Sequence, residues 1–209
     1  MDPVDPRLVA ELIDRAKKQL RSRMRSLRSA HPATALAERS ARVVSGLADL
    51  PAFRDARSVG LFWPLLDRHE VDIRGVDALA RSLQKRVYYP ALAPSANGGT
   101  RTEFRLTGST DDLAVRDHRF AEPAPDAPVA AREDIDLLVV PALAVALTGH
   151  RLGWGGGFYD VTIPDFCPPG RTVVVAFDFQ LLAELPHLPH DVPCDFVVTD
   201  ARQVAAVRE

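Results

Sequence analysis

The hydrophobic positions of the N-terminal part of the chain follow the period of an α-helix. Over residues 7–30 apolar side chains recur every three or four positions, which predicts one long amphipathic helix. Pro32 disfavours helical backbone at the residue before it, so we expect the helix to end there. The same spacing recurs over residues 36–47, up to Pro51, and over residues 76–83. The pattern therefore predicts three amphipathic helices.

Short apolar runs between and after these helices predict the strands of a sheet. The run at 102–106 alternates polar and apolar residues like an exposed antiparallel strand, whereas the run at 135–140 is apolar, as in a strand buried on both faces. Pro64 is expected to end the first strand and Pro90 the second. The expected strands are residues 58–63, 87–89, 102–106, 135–140, 172–177 and 196–199.

The remaining segments are interpreted as connections and short helices. We expect a turn at 95–99, a short helix near 158–163 that Pro164, Pro168 and Pro169 end, and another near 180–182. Apolar strands that alternate with amphipathic helices are typical of a mostly parallel sheet with helices on both faces. The prediction is an α/β fold, and at 209 residues a single domain over residues 1–209.

Composition and charge add little to this picture. The chain is 46% apolar and 26% charged, which is typical of a globular protein. Its net charge of −2 does not favour binding to nucleic acid or to a membrane. No apolar run approaches the ~20 residues of a membrane span, and the N-terminus lacks the apolar core of a signal peptide. The two cysteines, Cys167 and Cys194, fit neither a disulfide framework nor a metal site. We expect a cytoplasmic protein.

The richest candidate for chemistry is the stretch from Gly149 to Asp160, directly after the strand expected at 135–140. It holds five of the twelve glycines of the chain within nine positions. Backbone without Cβ atoms can approach a ligand closely and direct several N–H groups at phosphate oxygens. A flexible surface loop is the alternative, but Arg151 and Tyr159 beside Asp160 favour a phosphate-binding loop.

This loop matches neither common nucleotide-binding motif. The dinucleotide motif needs a third glycine where this chain has Phe158 after Gly153 and Gly155. The Walker motif needs a lysine followed by serine or threonine, and the loop contains no lysine. On these residues alone the loop indicates an anionic ligand and nothing more specific.

The first predicted helix carries a basic face. Seven basic residues and no acidic ones lie between Arg15 and Arg28, and Lys17 and Arg21, four residues apart, can bind one anion together. A solvated basic surface is the common alternative. A nucleic-acid-binding arm is a further alternative, although no aromatic residues are interleaved for base stacking. Near the C-terminus, His187 and His190 have a spacing that could hold a metal, but the two prolines beside them and the absence of a nearby cysteine favour an incidental pair.

Several segments together resemble the 5-formyltetrahydrofolate cyclo-ligase family, whose members are also called methenyltetrahydrofolate synthetases. The most specific segment is 151–160, Arg-Leu-Gly-Trp-Gly-Gly-Gly-Phe-Tyr-Asp, which is similar to the family signature RLGxGxG-aromatic-YD. The likeness runs from about Lys17 to Asp200. Its other segments are residues 16–21, 70–72, 122–123, 179–180, 190–195 and 198–199.

The resemblance implies a Rossmann-like three-layer fold shared with sugar-phosphate isomerases and CoA transferases. It implies conversion of 5-formyltetrahydrofolate to 5,10-methenyltetrahydrofolate, with ATP as co-substrate and Mg²⁺ as cofactor, by a monomer that binds neither nucleic acid nor membrane. No residue is assigned as nucleophile or as general acid or base. The implied ATP-binding residues are Lys17, Arg21, Arg151, Leu152, Gly153, Trp154, Gly155, Gly156, Gly157, Phe158 and Tyr159. The implied folate-binding residues are Trp63, Glu70, Trp154, Gly155, Gly156, Gly157 and Phe158.

For the metal, the resemblance implies Asp160 and Asp195 as ligands, because carboxylate oxygens suit Mg²⁺ beside ATP. The alternatives are that Asp160 caps a helix and that Asp195 opens a strand with its side chain in water. The chain departs from the family pattern at three positions, where Gly156 stands for a frequent lysine, Ala146 for an aspartate and Val161 for an arginine. Two other functions stay open: a sugar-phosphate isomerase, and a binder of nucleic acid through the basic helix.

Overall fold

The computed structural model describes residues 5–94, 100–116 and 120–207. The turn expected at 95–99 lies outside these ranges. The helices are α1 (Pro6–Ser29), α2 (Ala33–Asp49), α3 (Pro51–Asp55), α4 (Arg74–Ser82) and α5 (Phe158–Phe166), with 3₁₀ turns at Leu66–Arg68, Thr110–Asp112, Arg132–Asp134 and Asp178–Gln180. The strands are β1 (Ser58–Gly60), β2 (Arg86–Pro94), β3 (Thr100–Leu106), β4 (Ala114–Val115), β5 (Ala121–Glu122), β6 (Leu137–Pro141), β7 (Ala144–Ala146), β8 (Arg151–Leu152), β9 (Arg171–Val175), β10 (Leu181–Leu182), β11 (Phe196–Val198) and β12 (Gln203–Ala205).

The main sheet of the described chain has seven strands in the order β12-β11-β9-β6-β1-β2-β3. The five central strands run parallel, from β11 to β2, while β12 and β3 are antiparallel edges. Parallel strands need crossover connections, and α4 supplies the one from β1 to β2 while α5 lies in the one from β6 to β9. The antiparallel assignment of the strand expected at 102–106 is confirmed, although Phe104 within it is buried.

Helices cover both faces of this sheet, so the predicted three-layer α/β class is confirmed. On one face α2, α3 and α4 pack against alternate strand residues, and on the other α5 packs against the intervening ones. The helical side chains buried on the first face are Leu36, Val43, Leu47, Phe53, Val76 and Ala80. On the second face Ile163 and Phe166 of α5 pack beside Val140 and Val174.

A small sheet in the order β10-β7-β8 joins the long helix to this body. Leu20 and Met24 of α1 pack against Leu143, Ala144 and Leu152 of that region. The start of α1 is set locally, because the Asp5 side chain accepts a hydrogen bond from Arg7 N at 2.9 Å. The first predicted helix is therefore confirmed to within one residue at each end.

Strand β2 continues through Pro90, which is a correction to the strand end predicted there. Tyr88 O accepts from Leu61 N towards β1, and Val87 O accepts from Thr107 N towards β3. Backbone polar groups alternate along a strand, so Pro90 faces the β1 side as Tyr88 does. Because β1 ends opposite Tyr88, no neighbour requires an N–H from Pro90. The apolar run at 58–63 correspondingly leaves the sheet after Gly60.

Three expectations for the C-terminal half were also wrong. Helix α5 runs past Pro164 to Phe166, since the ring removes few bonds near the helix end and Phe166 is buried in the core. Residues 181–182 pair with β7 instead of forming a helix, because the buried Gln180 amide anchors the preceding turn to Leu143 O at 2.8 Å. The strand at Phe196–Val198 is not the last, because the short β12 pairs with it.

Across the described residues, none of the helices combines the length and the apolar character that a membrane span requires.

Candidate functional site

A cavity of about 500 Å³ opens at the carboxyl edge of the main sheet, where β1 and β6 end at Gly60 and Pro141. Its volume lies within the range of about 300–1,000 Å³ that is usual for small-molecule sites. Doubly wound α/β folds bind their ligands at this edge. The lining residues are Asp14, Lys17, Arg21, Phe62, Trp63, Leu65, Glu70, Pro90, Phe120, Pro141, Arg151, Leu152, Gly153, Trp154, Gly155, Gly156, Gly157, Phe158, Tyr159, Asp160, Val161, His190 and Asp191.

The glycine loop forms one wall of this cavity and leads directly into α5. Gly155 and Gly157 have φ of +105° and +68°, a region that favours glycine. Gly157 occupies the N-cap position of α5, so the unpaired N–H groups of the first helical turn begin at the cavity. A helix N-terminus with its partial positive charge favours an anion there.

Two cations of α1 face the same loop. Arg21 Nε donates to Gly153 O at 3.0 Å, and the guanidinium carbon of Arg21 lies 3.3 Å from the place where a Cβ on Gly155 would stand. Lys17 is buried and forms an ion pair with Asp191. Burial alone would raise the pKa of Asp191, but the hydrogen bonds from Lys17 and the Leu188 amide outweigh it and hold that pKa below its usual value. The helix spacing therefore brings both predicted cations into the cavity.

Arg151 lines the cavity, but its guanidinium is largely committed to protein groups. Its side chain is 4% exposed, and it donates to Val192 O and, at 2.8 Å, to Asp160 Oδ1. Val192 N donates to the same oxygen of Asp160 at 3.2 Å. Arg151 thus ties the start of the glycine loop to the segment that carries Asp191. The Asp160 side chain forms no helix-capping bond, so the capping interpretation is wrong.

The cavity also has an aromatic lining, which includes the loop residue Trp154 and carries Glu70. Trp154 Nε1 donates to Glu70 Oε1 at 2.8 Å, and Leu65 N donates to Glu70 Oε2 at 2.9 Å. Trp63 stands edge-on to Tyr89, with ring centroids 6.1 Å apart. Burial raises the pKa of Tyr159, so its phenol stays protonated at neutral pH. The aromatic lining residues are Phe62, Trp63, Phe120, Trp154, Phe158 and Tyr159.

Asp195 does not line the cavity, which is a correction to its expected place beside Asp160. Its Oδ2 accepts from Thr172 N at 2.9 Å and Thr172 Oγ1 at 3.0 Å, where β9 and β11 begin. A residue that precedes a parallel strand lies at the amino edge of the sheet, whereas the cavity lies at the carboxyl edge. Asp191, four residues earlier, lines the cavity, as do Asp14, Glu70 and Asp160. Asp191 and Asp160 lie in segments that are joined by the hydrogen bond from Val192 N to Asp160 Oδ1.

These two carboxylates fit a magnesium ion in their chemistry. Among the residues that the structure describes, no three histidine, cysteine or acidic side chains form a complete metal cluster. Magnesium beside ATP needs only one or two carboxylates, since phosphates and water fill the other positions. Asp160 uses Oδ1 for Arg151, and Asp191 uses Oδ2 for Lys17, so each of these bonds leaves the second oxygen of its carboxylate unused.

Several lining residues were missed by sequence reasoning. Asp14 shares the helix face of Lys17 and Arg21, so its spacing could have indicated it. Phe120 comes from a distant loop, and no local pattern marks it. His190 and Asp191 lie in the segment 190–195 that resembles the family, although neither was assigned to the ligand site. His187 stacks on His150 with ring centroids 3.9 Å apart, whereas His190 lines the cavity, so the two histidines face different surroundings.

Taken together, the fold and cavity define a three-layer α/β protein whose ligand site combines a glycine loop, basic residues of a long helix and an aromatic wall. The sequence model of the "5-formyltetrahydrofolate cyclo-ligase family" matches residues 13–200. The chain belongs to this family.

Curated relatives and a solved structure agree with this assignment. The chain is 41% identical over 86 residues to a 5-formyltetrahydrofolate cyclo-ligase of Mycolicibacterium smegmatis, covering 41% of this chain and 44% of the relative. It is 34% identical over 120 residues to the Escherichia coli cyclo-ligase, covering 56% and 65%. These matches thus span under two thirds of the relatives' length. The solution structure of Aquifex aeolicus 5,10-methenyltetrahydrofolate synthetase superimposes with a TM-score of 0.78 at 27% identity, covering 92% of this chain and 94% of that one.

Proposed function

We propose that the chain converts 5-formyltetrahydrofolate to 5,10-methenyltetrahydrofolate at the expense of ATP, with magnesium bound beside the nucleotide. One observation carries the proposal: a single cavity is lined by Lys17, Arg21 and the glycine loop, which suit an anion, and by Trp63 and Glu70, which suit a folate. We assign the first group to an anion-binding end and the second to an aromatic end. Family membership supports the folate reaction, and both relatives named above carry the cyclo-ligase name.

At the anion-binding end, the N-terminus of α5 and the backbone of Gly155 to Gly157 receive the nucleotide phosphates. Arg21 and Lys17 add positive charge from α1. Arg151 acts mainly by holding Asp160 and the segment at Val192, because its donors already have protein acceptors. Phosphoryl transfer needs positioning and charge stabilisation more than covalent chemistry, which suits this set of groups.

At the aromatic end, flat side chains offer stacking surfaces to the ring system of a folate. Trp63 and Phe120 are among the aromatic residues that line the cavity. Glu70 uses each carboxylate oxygen once, towards Trp154 and Leu65, and its remaining lone pairs accept hydrogen bonds from substrate N–H groups. Specificity for a folate then comes from the few polar groups within an apolar wall.

The reaction divides into two steps. The γ-phosphoryl group moves from ATP to the formyl oxygen, which releases ADP and converts that oxygen into a leaving group. The neighbouring folate nitrogen then forms a bond to the formyl carbon and loses its proton, while the carbon–oxygen bond breaks and phosphate leaves. Placing the two substrates end to end in one cavity is the contribution expected of the protein.

Asp160 and Asp191 are the residues that would hold magnesium, which supplies charge neutralisation at the nucleotide phosphates. Lys17 and Arg151 orient these carboxylates through the ion pairs they form with them. The protein itself supplies orientation and exclusion of water. The loop orients the phosphates, and the apolar walls around Phe62 and Leu65 exclude water from the reacting atoms.

The test is absorbance monitoring of methenyltetrahydrofolate formation by the purified chain. Product is expected only when 5-formyltetrahydrofolate, ATP and magnesium are all present. Omitting ATP or chelating the metal should abolish the signal. Turnover of a sugar phosphate without ATP, or salt-sensitive binding to nucleic acid with no ATP consumption, would contradict the proposal.

A further inference from the structure

Arg28, near the C-terminal end of α1, is a buried cation whose donors are incompletely paired by the described residues. The residue is 2% exposed, and within the described part of the chain its Nε and Nη2 atoms have no hydrogen-bond partner. Burial lowers its pKa to about 10, and the nearby charge of Glu70 opposes that change. Arg28 therefore stays protonated at neutral pH. A buried, incompletely paired guanidinium is costly, so its surroundings must compensate for the lost water.

The compensating group is the indole of Trp154. The guanidinium carbon of Arg28 lies 5.3 Å from the centroid of this ring, and that of Arg68 lies 4.7 Å from it. Both distances are within the reach of a cation–π interaction. The same indole donates its N–H to Glu70 Oε1 at 2.8 Å. Arg28 thus restrains the indole of Trp154 by a cation–π contact, and the indole restrains the Glu70 carboxylate by a hydrogen bond.

Trp154 also belongs to the glycine loop. Its neighbour Gly153 accepts a hydrogen bond from Arg21 at 3.0 Å, and its other neighbour, Gly155, has a φ of +105°. A shift of the indole therefore changes both the orientation of the Glu70 carboxylate and the backbone of the loop. Trp154 therefore connects the two ends of the cavity, because its indole binds Glu70 and its backbone is part of the glycine loop.

We propose that Arg28 is a positioning residue that couples the two ends of the cavity by fixing the indole of Trp154. The inference rests on the proposed function, because it takes the folate to bind at the Glu70 end and the nucleotide at the loop. A folate that contacts Glu70 restrains this carboxylate and, through it, Trp154. The loop then loses less freedom when the nucleotide binds, so each ligand tightens the binding of the other.

Arg28 acts through Trp154 and does not need to touch either substrate, since it does not line the cavity. Its removal deletes none of the groups that line the cavity. The expected effect is therefore a loss of the mutual effect of the two ligands, and not a loss of either site. This distinguishes a coupling role from a contribution to stability alone.

The experiment measures the dissociation constant of adenosine 5′-(β,γ-imido)triphosphate with magnesium by calorimetry, with and without saturating 5-formyltetrahydrofolate. In the unmodified chain the folate is expected to tighten nucleotide binding by about fivefold or more, the lower end of usual coupling. In Arg28→Met the factor should fall to about twofold or less. Arg28→Lys should recover part of it, because an ammonium group also binds the face of an indole.

Two further variants complete the design. Arg25→Met is the matched control, since Arg25 is exposed on the same helix and should leave the coupling factor unchanged. Trp154→Phe keeps a ring for Arg28 but removes the N–H that Glu70 accepts, so its coupling should also fall. If Arg28→Met does not fold, as judged by circular dichroism, Arg28→Lys and Trp154→Phe still carry the test.

The possible results distinguish a failure of the proposed function from a failure of the proposed role of Arg28. An unmodified chain that binds neither ligand would overturn the proposed function and this inference with it. A chain that binds both ligands independently, or whose coupling survives in Arg28→Met and Trp154→Phe, would overturn the inference alone.

Discussion

Asp191 and Asp195 show how far four residues can separate two similar side chains. Asp191 faces the cavity and pairs with Lys17, whereas Asp195 binds Thr172 at the amino end of the neighbouring strands. A carboxylate at the carboxyl edge can meet a phosphate-bound cation, and one at the amino edge cannot. The position of a residue relative to its strand therefore decides its role more than its residue type does.

This difference gives the first prediction. Asp160→Asn and Asp191→Asn should each lower turnover by about tenfold or more, with partial recovery at raised magnesium, because both remove charge from the proposed magnesium site. Asp195→Asn is the matched control and should keep turnover while lowering stability by about 1 kcal/mol through weakened bonds to Thr172. Steady-state kinetics and urea unfolding measure both quantities. A large loss of turnover in Asp195→Asn would contradict the placement.

The glycines of the loop give a second prediction at this scale. Gly155→Ala and Gly157→Ala should each raise the KM for ATP, since a Cβ at positive φ costs about 1 kcal/mol and at Gly155 also approaches Arg21. Gly156 has open space around it and no positive φ, so Gly156→Ala should behave as the unmodified chain does. Gly156→Lys should tighten ATP binding or leave it unchanged. Equal effects at all three positions would mean that conformation does not matter there.

At the scale of elements, α1 serves both as a packing unit and as one wall of the site. Leu20 and Met24 pack on the small sheet, and this fixes the face from which Lys17 and Arg21 reach the cavity. The three-and-four spacing of the apolar residues thus also determines which basic residues point inwards. Lys18, which lies outside that face, is exposed.

The third prediction compares the basic residues of this helix. Arg21→Ala should weaken ATP binding by roughly tenfold or more, as expected for a charge-assisted contact of about 1.5–3 kcal/mol. Lys17→Ala should do the same and also lower the melting temperature, because it leaves Asp191 without its ion-pair partner. Lys18→Ala is the exposed control and should change neither quantity. An unchanged KM for ATP in Arg21→Ala would contradict this prediction and favour the alternative that the basic face of α1 is only a solvated surface.

At the scale of the whole molecule, ionic contacts at the carboxyl edge join the last strands to the body. Asp178, just after β9, accepts from Arg202 at 2.7 Å and from Thr199 Oγ1 at 2.9 Å, next to the β11–β12 hairpin. The hydrogen bond from Arg202 lowers the pKa of Asp178, with smaller help from Thr199, against the opposing effect of burial. These contacts stabilise the folded state only while the carboxylate is ionised.

The fourth prediction follows from the sign of that change. Because the folded-state pKa of Asp178 lies below its unfolded value of about 3.9, its contribution is complete above pH ~5 and is lost as pH falls through the folded value. Asp178→Asn should cost roughly 1 kcal/mol at pH 7, a modest figure because the side chain is partly exposed, and less than that at pH 2. Urea unfolding at both pH values checks this, with Asp165→Asn as an exposed control. An equal cost at both pH values would contradict it.

The spacing of apolar residues and the positions of glycine determined many of the helices, strands and loops of this protein from the sequence alone. Apolar spacing predicted α1, α2 and α4, and the apolar runs at 135–140 and 172–177 predicted central strands. A helix buried on one face has apolar residues at its own period, and a strand buried on both faces is a continuous apolar run, so both are visible in the sequence. The glycine loop was recognisable for the same reason, since positive φ and close approach demand glycine locally. The side chains of the loop and its basic partners accordingly line one cavity.

Only the tertiary structure decided the features that depend on a partner distant in the chain. Pro90 sits within a strand because β1 has already ended beside it, and Pro164 within a helix because Phe166 packs in the core. Asp191 rather than Asp195 lines the cavity because of the strand direction, which residue order does not state. Arg28 looked like one more solvated basic residue, and only its burial against Trp154 sets it apart, since burial is a property of the assembled layers and not of the helix.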